Sequence, residues 1–215
     1  MKRPGPLLTL LTGLVLGLVL LTLDATTGTK APSSPYRERP PAPAPVGRAA
    51  SSTPAPSPSR TPDADYAGRT DDDAAAVAVS VRDGRAIAYF CDGRTQESWL
   101  KGDVRDDGGL RLTGRQGAKL EGTLRDGALT DGTVEVGGRR RPFTADRAKK
   151  PSGLWRATAT VRSATIDGGW IVLRDGSQVG VVSRDGEPSP APRIDPRTGA
   201  VTIDGRLLTA RPATP

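Results

Sequence analysis

The sequence predicts an all-β protein: a small antiparallel β-barrel or sandwich built from hairpins, after an N-terminal transmembrane helix and a disordered Pro-rich linker. Three observations carry this expectation. Nine Asp-Gly dipeptides, beginning at Asp83, Asp92, Asp107, Asp126, Asp131, Asp167, Asp175, Asp185 and Asp204, punctuate the last two-thirds of the chain. Asp-Gly suits a two-residue type I′ turn, whose central positions both need φ > 0; Asp tolerates this and Gly accepts it freely. Several of the dipeptides are flanked by runs that alternate apolar and polar residues. Beyond residue 24 no segment sustains a 3.6-residue apolar period, so no helix is expected there.

Residues 1–24 read as a signal anchor or a signal peptide. Leu7 to Leu23 is an uncharged run of Leu, Val, Thr and Gly, which at ~1.5 Å per residue reaches ~25 Å, the short end of a membrane span. Lys2 and Arg3 precede it and Asp24 follows, so the N-terminus is expected in the cytoplasm and the C-terminal domain outside, as a single-pass membrane protein. A cleaved signal peptide is the alternative; Thr29-Lys30-Ala31 is then the best cleavage site, and loss of residues 1–31 makes the protein secreted.

Residues 25–68 read as a linker. Ten prolines lie between Pro32 and Pro62 among Ala, Ser, Thr and Arg, a composition that cannot bury enough apolar surface to offset its ordering entropy. Proline biases such a segment towards extended polyproline II, which suits a stalk or a passive tether. Asp71-Asp72-Asp73 follows and reads as a solvated domain edge.

Residues 69–215 read as the β-domain. The Asp83-Gly84 turn pairs Val81 with Ala86, Val79 with Ala88 and Val77 with Phe90, so one face is wholly apolar. The Asp175-Gly176 turn is expected to pair Val172 with Val179 and Trp170 with Val181, and the Asp204-Gly205 turn sets Val201 against Leu208. In Leu154–Arg162 the odd positions Trp155, Ala157, Ala159 and Val161 alternate with Arg156, Thr158, Thr160 and Arg162, a strand with one wet side. Val77, Val79, Val81, Phe90, Trp155, Val161, Trp170, Val172, Val179 and Val181 form the expected core. Ten to twelve short strands are expected, with residues 147–153 as a crossing loop.

Gly102-Asp103-Val104-Arg105-Asp106-Asp107-Gly108-Gly109-Leu110 recurs weakly as Gly122-Thr123-Leu124-Arg125-Asp126-Gly127-Ala128-Leu129, and Gly132–Gly137 continues the pattern. Glycines repeated within strands suit a curved meander. The segments Ala88-Tyr89-Phe90-Cys91-Asp92-Gly93 and Glu97-Ser98-Trp99-Leu100-Lys101-Gly102 resemble uncharacterised secreted or membrane-anchored β-rich proteins of actinobacteria, most clearly over residues 77–136. The resemblance implies a location and a fold; it brings no activity and no site residues.

Composition narrows the chemistry. Histidine is absent and Cys91 is the one cysteine, which excludes Ser–His–Asp and Cys–His catalysis within a chain, His-ligated metals, multi-cysteine zinc sites and an intrachain disulfide. Cys91 reads as a half-buried strand thiol. No cofactor is expected. The formal net charge is +7, but residues 1–63 hold seven Lys or Arg against three Asp or Glu, and residues 64–215 hold 24 against 21. A domain so nearly balanced is not a nucleic-acid binder.

Two candidate sites remain. Arg139, Arg140, Arg141, Arg147, Lys149 and Lys150 place six cations within twelve residues, opposed by Asp146 alone. They suit an anionic envelope polymer, lipid headgroups or an acidic protein face, or else they are a solvated edge that blocks aggregation. Of the strand carboxylates Glu97, Glu121 and Glu135, Glu97 stands out. A register continued through Asp92-Gly93 sets it opposite Ala88 on the apolar face with Val79, Phe90 and Trp99. There it is either an interior polar contact or the mark of a bulge that turns it outward. Trp99, Trp155 and Trp170 sit at core-like positions, although exposed tryptophans would suit a carbohydrate platform.

The functional expectation is therefore a membrane-anchored extracytoplasmic β-domain that binds a cell-envelope component or a protein partner without catalysis. The alternatives are an exported carboxylate-dependent hydrolase and a purely structural envelope domain. A deep interior pocket with two convergent carboxylates marks the hydrolase, and a filled interior favours binding or structure.

Overall fold

The computed structural model describes residues 61–215. The expected membrane helix Leu7–Leu23, the cleavage site and all of the linker before Thr61 lie outside the described residues. Within them no helix is long and apolar enough to cross a membrane, and the helical content is one 3-10 turn, Arg115–Gly117.

Eight antiparallel strands form a closed barrel in simple meander order: β1 (Ala64–Thr70), β2 (Ala76–Arg82), β3 (Arg85–Cys91), β4 (Glu97–Val104), β5 (Gly109–Gly114), β6 (Lys119–Arg125), β7 (Ala128–Val136) and β8 (Arg139–Ala148). β8 closes on β1, with Tyr66 opposite Arg147 and Thr70 opposite Phe143. The barrel thus removes both sheet edges. β1 begins inside the segment read as linker, so the β-domain begins earlier than residue 69. Its small residues hid it, and they are what closure requires. A Cβ on Gly68 would collide with the Thr144 carbonyl of β8, so the two strands approach this closely only at glycine.

Apolar side chains fill the barrel. Val77, Val79 and Val81 face Phe90, Leu100, Leu112, Leu120, Leu129 and Phe143, all fully or almost fully buried. The weak repeat is the pair of hairpins β4–β5 and β6–β7, with Gly102 opposite Leu112 and Gly122 opposite Leu110. An apolar lumen inside a charged wall reverses the plan of a lipid-spanning barrel.

A second system follows. Its five-stranded antiparallel sheet has the order β12 (Glu187–Pro190), β11 (Gln178–Arg184), β10 (Ala164–Val172), β9 (Gly153–Val161) and β15 (Arg211–Pro212), and a separate hairpin joins β13 (Ala200–Ile203) to β14 (Arg206–Thr209). One face of the sheet packs Leu154, Ile171, Leu173 and Val181 on the outer barrel wall at Ala67, Ala76, Ala78, Ile87, Tyr89 and Cys91. The other face packs Trp155, Val161, Ile166, Trp170 and Val172 against Val201 and Ile203 of the hairpin and against Ile194. β2 and β3 are therefore buried on both sides, in keeping with their near-continuous apolar sequence.

The turns explain which registers were readable. Asp83-Gly84, Asp126-Gly127, Asp185-Gly186 and Asp204-Gly205 all have positive φ at both residues. The expected pairs Val77–Phe90, Val79–Ala88, Val81–Ala86 and Val201–Leu208 are present. Asp175-Gly176 differs. Gly176 N donates to Leu173 O (3.0 Å), Leu173 N donates to Ser177 O (2.9 Å), and only Gly176 has positive φ. This is a longer turn with a glycine bulge, and it shifts the ladder by one residue. Trp170 faces Gly180 and Ile171 faces Val179, in place of the expected Trp170–Val181 and Val172–Val179 pairs. Because side chains alternate, the slip sends Val181 to the barrel side and leaves Trp170 on the hairpin side. Nine of the ten expected core residues are buried, and Val179 is half-buried. Asp131 marks a bulge inside β7, and Asp167 lies mid-strand in β10.

Candidate anion-binding cleft

The six candidate cations lie along β8 and just beyond it. A strand advances ~3.3 Å per residue, so ~20 Å separates Arg141 from Arg147. Their closeness in sequence becomes two groups at opposite ends of the barrel.

At the first end, Arg139 and Arg140 are exposed, and Arg140 lies opposite Glu135, itself opposite Lys119 on β6. Arg111 and Glu121 form a neighbouring ion pair at 3.2 Å. These charges make an alternating ladder on the outer wall, a solvated surface. Arg141 is not a surface cation. Its side chain is 14% exposed, its Nε lies 3.5 Å from Asp72 Oδ2, and its guanidinium lies 5.5 Å from the centre of the Phe90 ring. Among the described residues Nη1 is enclosed without a hydrogen-bond partner. Asp72 is held in turn by Thr70 Oγ1 and by the Ala74 N–H (3.1 Å), and these hydrogen bonds lower its pKa. Arg141 and Asp72 meet at this end of the barrel, beside a hollow of about 470 Å³ lined by Arg69, Asp73, Arg94 and Arg141.

At the other end the cations converge. Arg147, Lys149 and Lys150 line a hollow of about 450 Å³ with Arg174, Gly127 and Ser152, and Asp126 and Asp146 are its carboxylates. Arg174 Nη1 donates to Asp146 Oδ2 at 3.1 Å. Lys149 and Lys150 make no ion pair among the described residues. Arg147 is held at both ends: its backbone N–H donates to Gly127 O (3.1 Å) and Nη2 to Asp63 O (3.4 Å). Across the β1–β8 ladder it faces Tyr66, whose pKa is raised chiefly by burial. A second hollow of about 320 Å³ shares Asp126, Gly127 and Arg147 and adds Thr61, Pro62, Asp106 and Asp107. Sequence reading missed Arg174, because only the packing of the β10–β11 turn brings it to the end of β8.

Glu97 lies outside the barrel lumen. The Asp92–Gln96 loop is longer than a two-residue turn; Asp92 Oδ1 accepts from the N–H groups of Arg94, Thr95 and Gln96. Glu97 therefore faces Cys91, and Ala88 faces Leu100. This puts Glu97 on the outer wall beneath the second sheet, where Tyr89 Oη donates to Glu97 Oε2 at 2.7 Å. Burial raises the Glu97 pKa and raises that of Tyr89 well above its ordinary value. Trp99 stacks on Tyr89 (4.4 Å between centroids) and lies under Arg156 (4.5 Å), which grips Asp167 with two hydrogen bonds of 2.9 and 2.6 Å. Trp99 is thus taken up on both faces, and Trp155 and Trp170 are buried. Cys91 is fully buried, and burial pushes its thiol up to about 11.

Among the described residues no group of three or more His, Cys, Asp or Glu is arranged to hold a metal ion. What the cleft can do chemically is present a guanidinium fork and ammonium groups to an anion. In comparisons with known proteins the chain matches no protein family, no curated protein and no solved structure.

Proposed function

We propose that this chain is a membrane-anchored, extracytoplasmic, non-catalytic module that binds an anionic envelope component in the cleft at the end of β8. The observation that carries this reading is the convergence of Arg147, Lys149, Lys150 and Arg174 on one hollow, in which neither lysine has an ion-pair partner among the described residues. Elsewhere on the barrel Arg69, Arg82, Arg105, Arg111 and Arg141 are in ion pairs and Arg140 lies opposite Glu135, and charges answered by neighbours attract little from solution. The uncharged run Leu7–Leu23 supports the anchor, and the apolar filling of the lumen supports binding over hydrolysis.

Retention of the full-length protein by purified wall teichoic acid or by anionic liposomes tests the proposal. Replacing Arg147, Lys149 and Lys150 together with Ser abolishes retention at low salt, and replacing Arg139 and Arg140 leaves it intact. Retention by the unaltered protein falls as added salt shortens the Debye length to ~8 Å at physiological strength. Undiminished retention of the triple variant refutes the cleft.

A further inference from the structure

Resting on that reading of the cleft, we infer that its partner is a compact, phosphate-bearing lipid headgroup at the membrane surface and not an extended polyanion. Size is the first argument. A hollow of about 450 Å³ is on the scale of a single small-molecule site. The second is its rim. The adjoining hollow adds Asp106 and Asp107 to the Asp126 that both hollows share, so a polymer leaving the cations on that side meets further carboxylates, a repulsion that discriminates against long polyanions. One headgroup ends before reaching Asp106 and Asp107.

The third argument is attachment. Thr61 and Pro62 wall that adjoining hollow, and Asp63 O receives the Arg147 guanidinium. The chain that continues to the apolar run Leu7–Leu23 therefore joins the barrel beside the cleft, while Arg139 and Arg140 occupy the far end. Residues 24–60 separate that run from the barrel, and a tether of this kind keeps the barrel within reach of the bilayer, which raises the effective concentration of headgroups at the cleft. Three cations there that form no ion pair among the described residues, Arg147, Lys149 and Lys150, have the charge to hold an anionic leaflet.

The test uses the full chain in lipid nanodiscs and follows amine-reactive labelling of Lys149 and Lys150 by mass spectrometry. Lys101 and Lys119, exposed on the barrel wall, serve as internal references. In discs of phosphatidylglycerol mixed with phosphatidylcholine, Lys149 and Lys150 label roughly fivefold more slowly than in pure phosphatidylcholine, the references do not change, and about 1 M salt removes the difference. The variant Arg147→Ser with Arg174→Ser keeps both reporter lysines and loses their protection. Equal labelling in the two discs, or full protection in the variant, overturns the inference. Protection in phosphatidylcholine discs by wall teichoic acid or by soluble glycerol phosphate, with none from phosphatidylglycerol, also overturns it but leaves the anion cleft standing. If none of the three protects, both readings fall.

Discussion

The barrel and the sheet beside it use the same hairpin vocabulary but complete their cores differently. The barrel closes on itself, so Val79, Phe90, Leu112 and Phe143 find partners inside one continuous ring of strands. The sheet has no such closure. β10 carries Trp170 and Val172 on one face and Ile171 on the other, and these are covered by the hairpin and by the barrel wall respectively. The barrel has a core of its own and lends its outer wall; the sheet is a middle layer that depends on both neighbours.

The sharpest way to break that comparison is to cut between the two systems. A chain that ends at Ser152 retains barrel circular dichroism but exposes Ala76, Ala78, Ile87 and Tyr89, so it binds hydrophobic dyes and associates. Residues 153–215 expressed alone do not fold, since the sheet face that carries Leu154, Ile171, Leu173 and Val181 has lost the barrel wall that covers it. A monomeric, dye-silent barrel, or a cooperatively melting sheet, means that neither system needs the other.

Next in size is Trp170→Ala in the middle layer, which costs ~3–5 kcal/mol in chemical denaturation. Gly169→Ala drives a methyl into the Tyr89 ring at the barrel contact and costs ~1–3 kcal/mol. If Gly169→Ala is neutral, the sheet does not rest directly on the Tyr89 ring.

The smallest effect lies in the polar part of the same contact. Because burial raises the Glu97 pKa in the folded state, the charged carboxylate is disfavoured there. Its contribution is fully present below its unfolded pKa and is lost as pH rises through the folded value. Glu97→Gln keeps an acceptor for Tyr89 Oη and removes that charge. The variant therefore melts slightly higher than the parent above the raised pKa, by a few degrees at most for a part-buried group. The difference vanishes below the ordinary glutamate range, and an unchanged gap across the titration refutes this assignment.

Much of the fold was legible because it is local. Asp83-Gly84 can form a type I′ turn without help, and the turn dictates every pair from Val81–Ala86 to Val77–Phe90. The same dipeptide misled at Asp175, where Leu173 and Ser177 close a longer turn, and at Asp167, which lies inside a strand. Two residues do not encode loop length, and one residue of difference turns a strand over. Glu97 was misplaced for that reason, since Asp92 caps a loop that carries the strand three residues further than a two-residue turn would. β1 was hidden because Ala, Gly and Asp are weak strand formers by propensity and become a strand only between two partners.

The candidate site was half legible. The basic character of residues 139–150 is plain in the sequence, but a strand spreads its residues in a line, so their count overstated their concentration. Arg141 went inward to Asp72 and Phe90, and Arg174 arrived from a turn that begins after the next two strands. By itself the sequence determined the β class, the hairpins whose turns need no outside contact, the apolar N-terminal run and the excess of cations near β8, because these depend on near neighbours along the chain. Only the tertiary structure decided that the meander closes as a barrel, that a second sheet seals its wall, and which cations share a hollow. Those outcomes depend on contacts between residues far apart in sequence, whose free energy appears only when the strands are brought together.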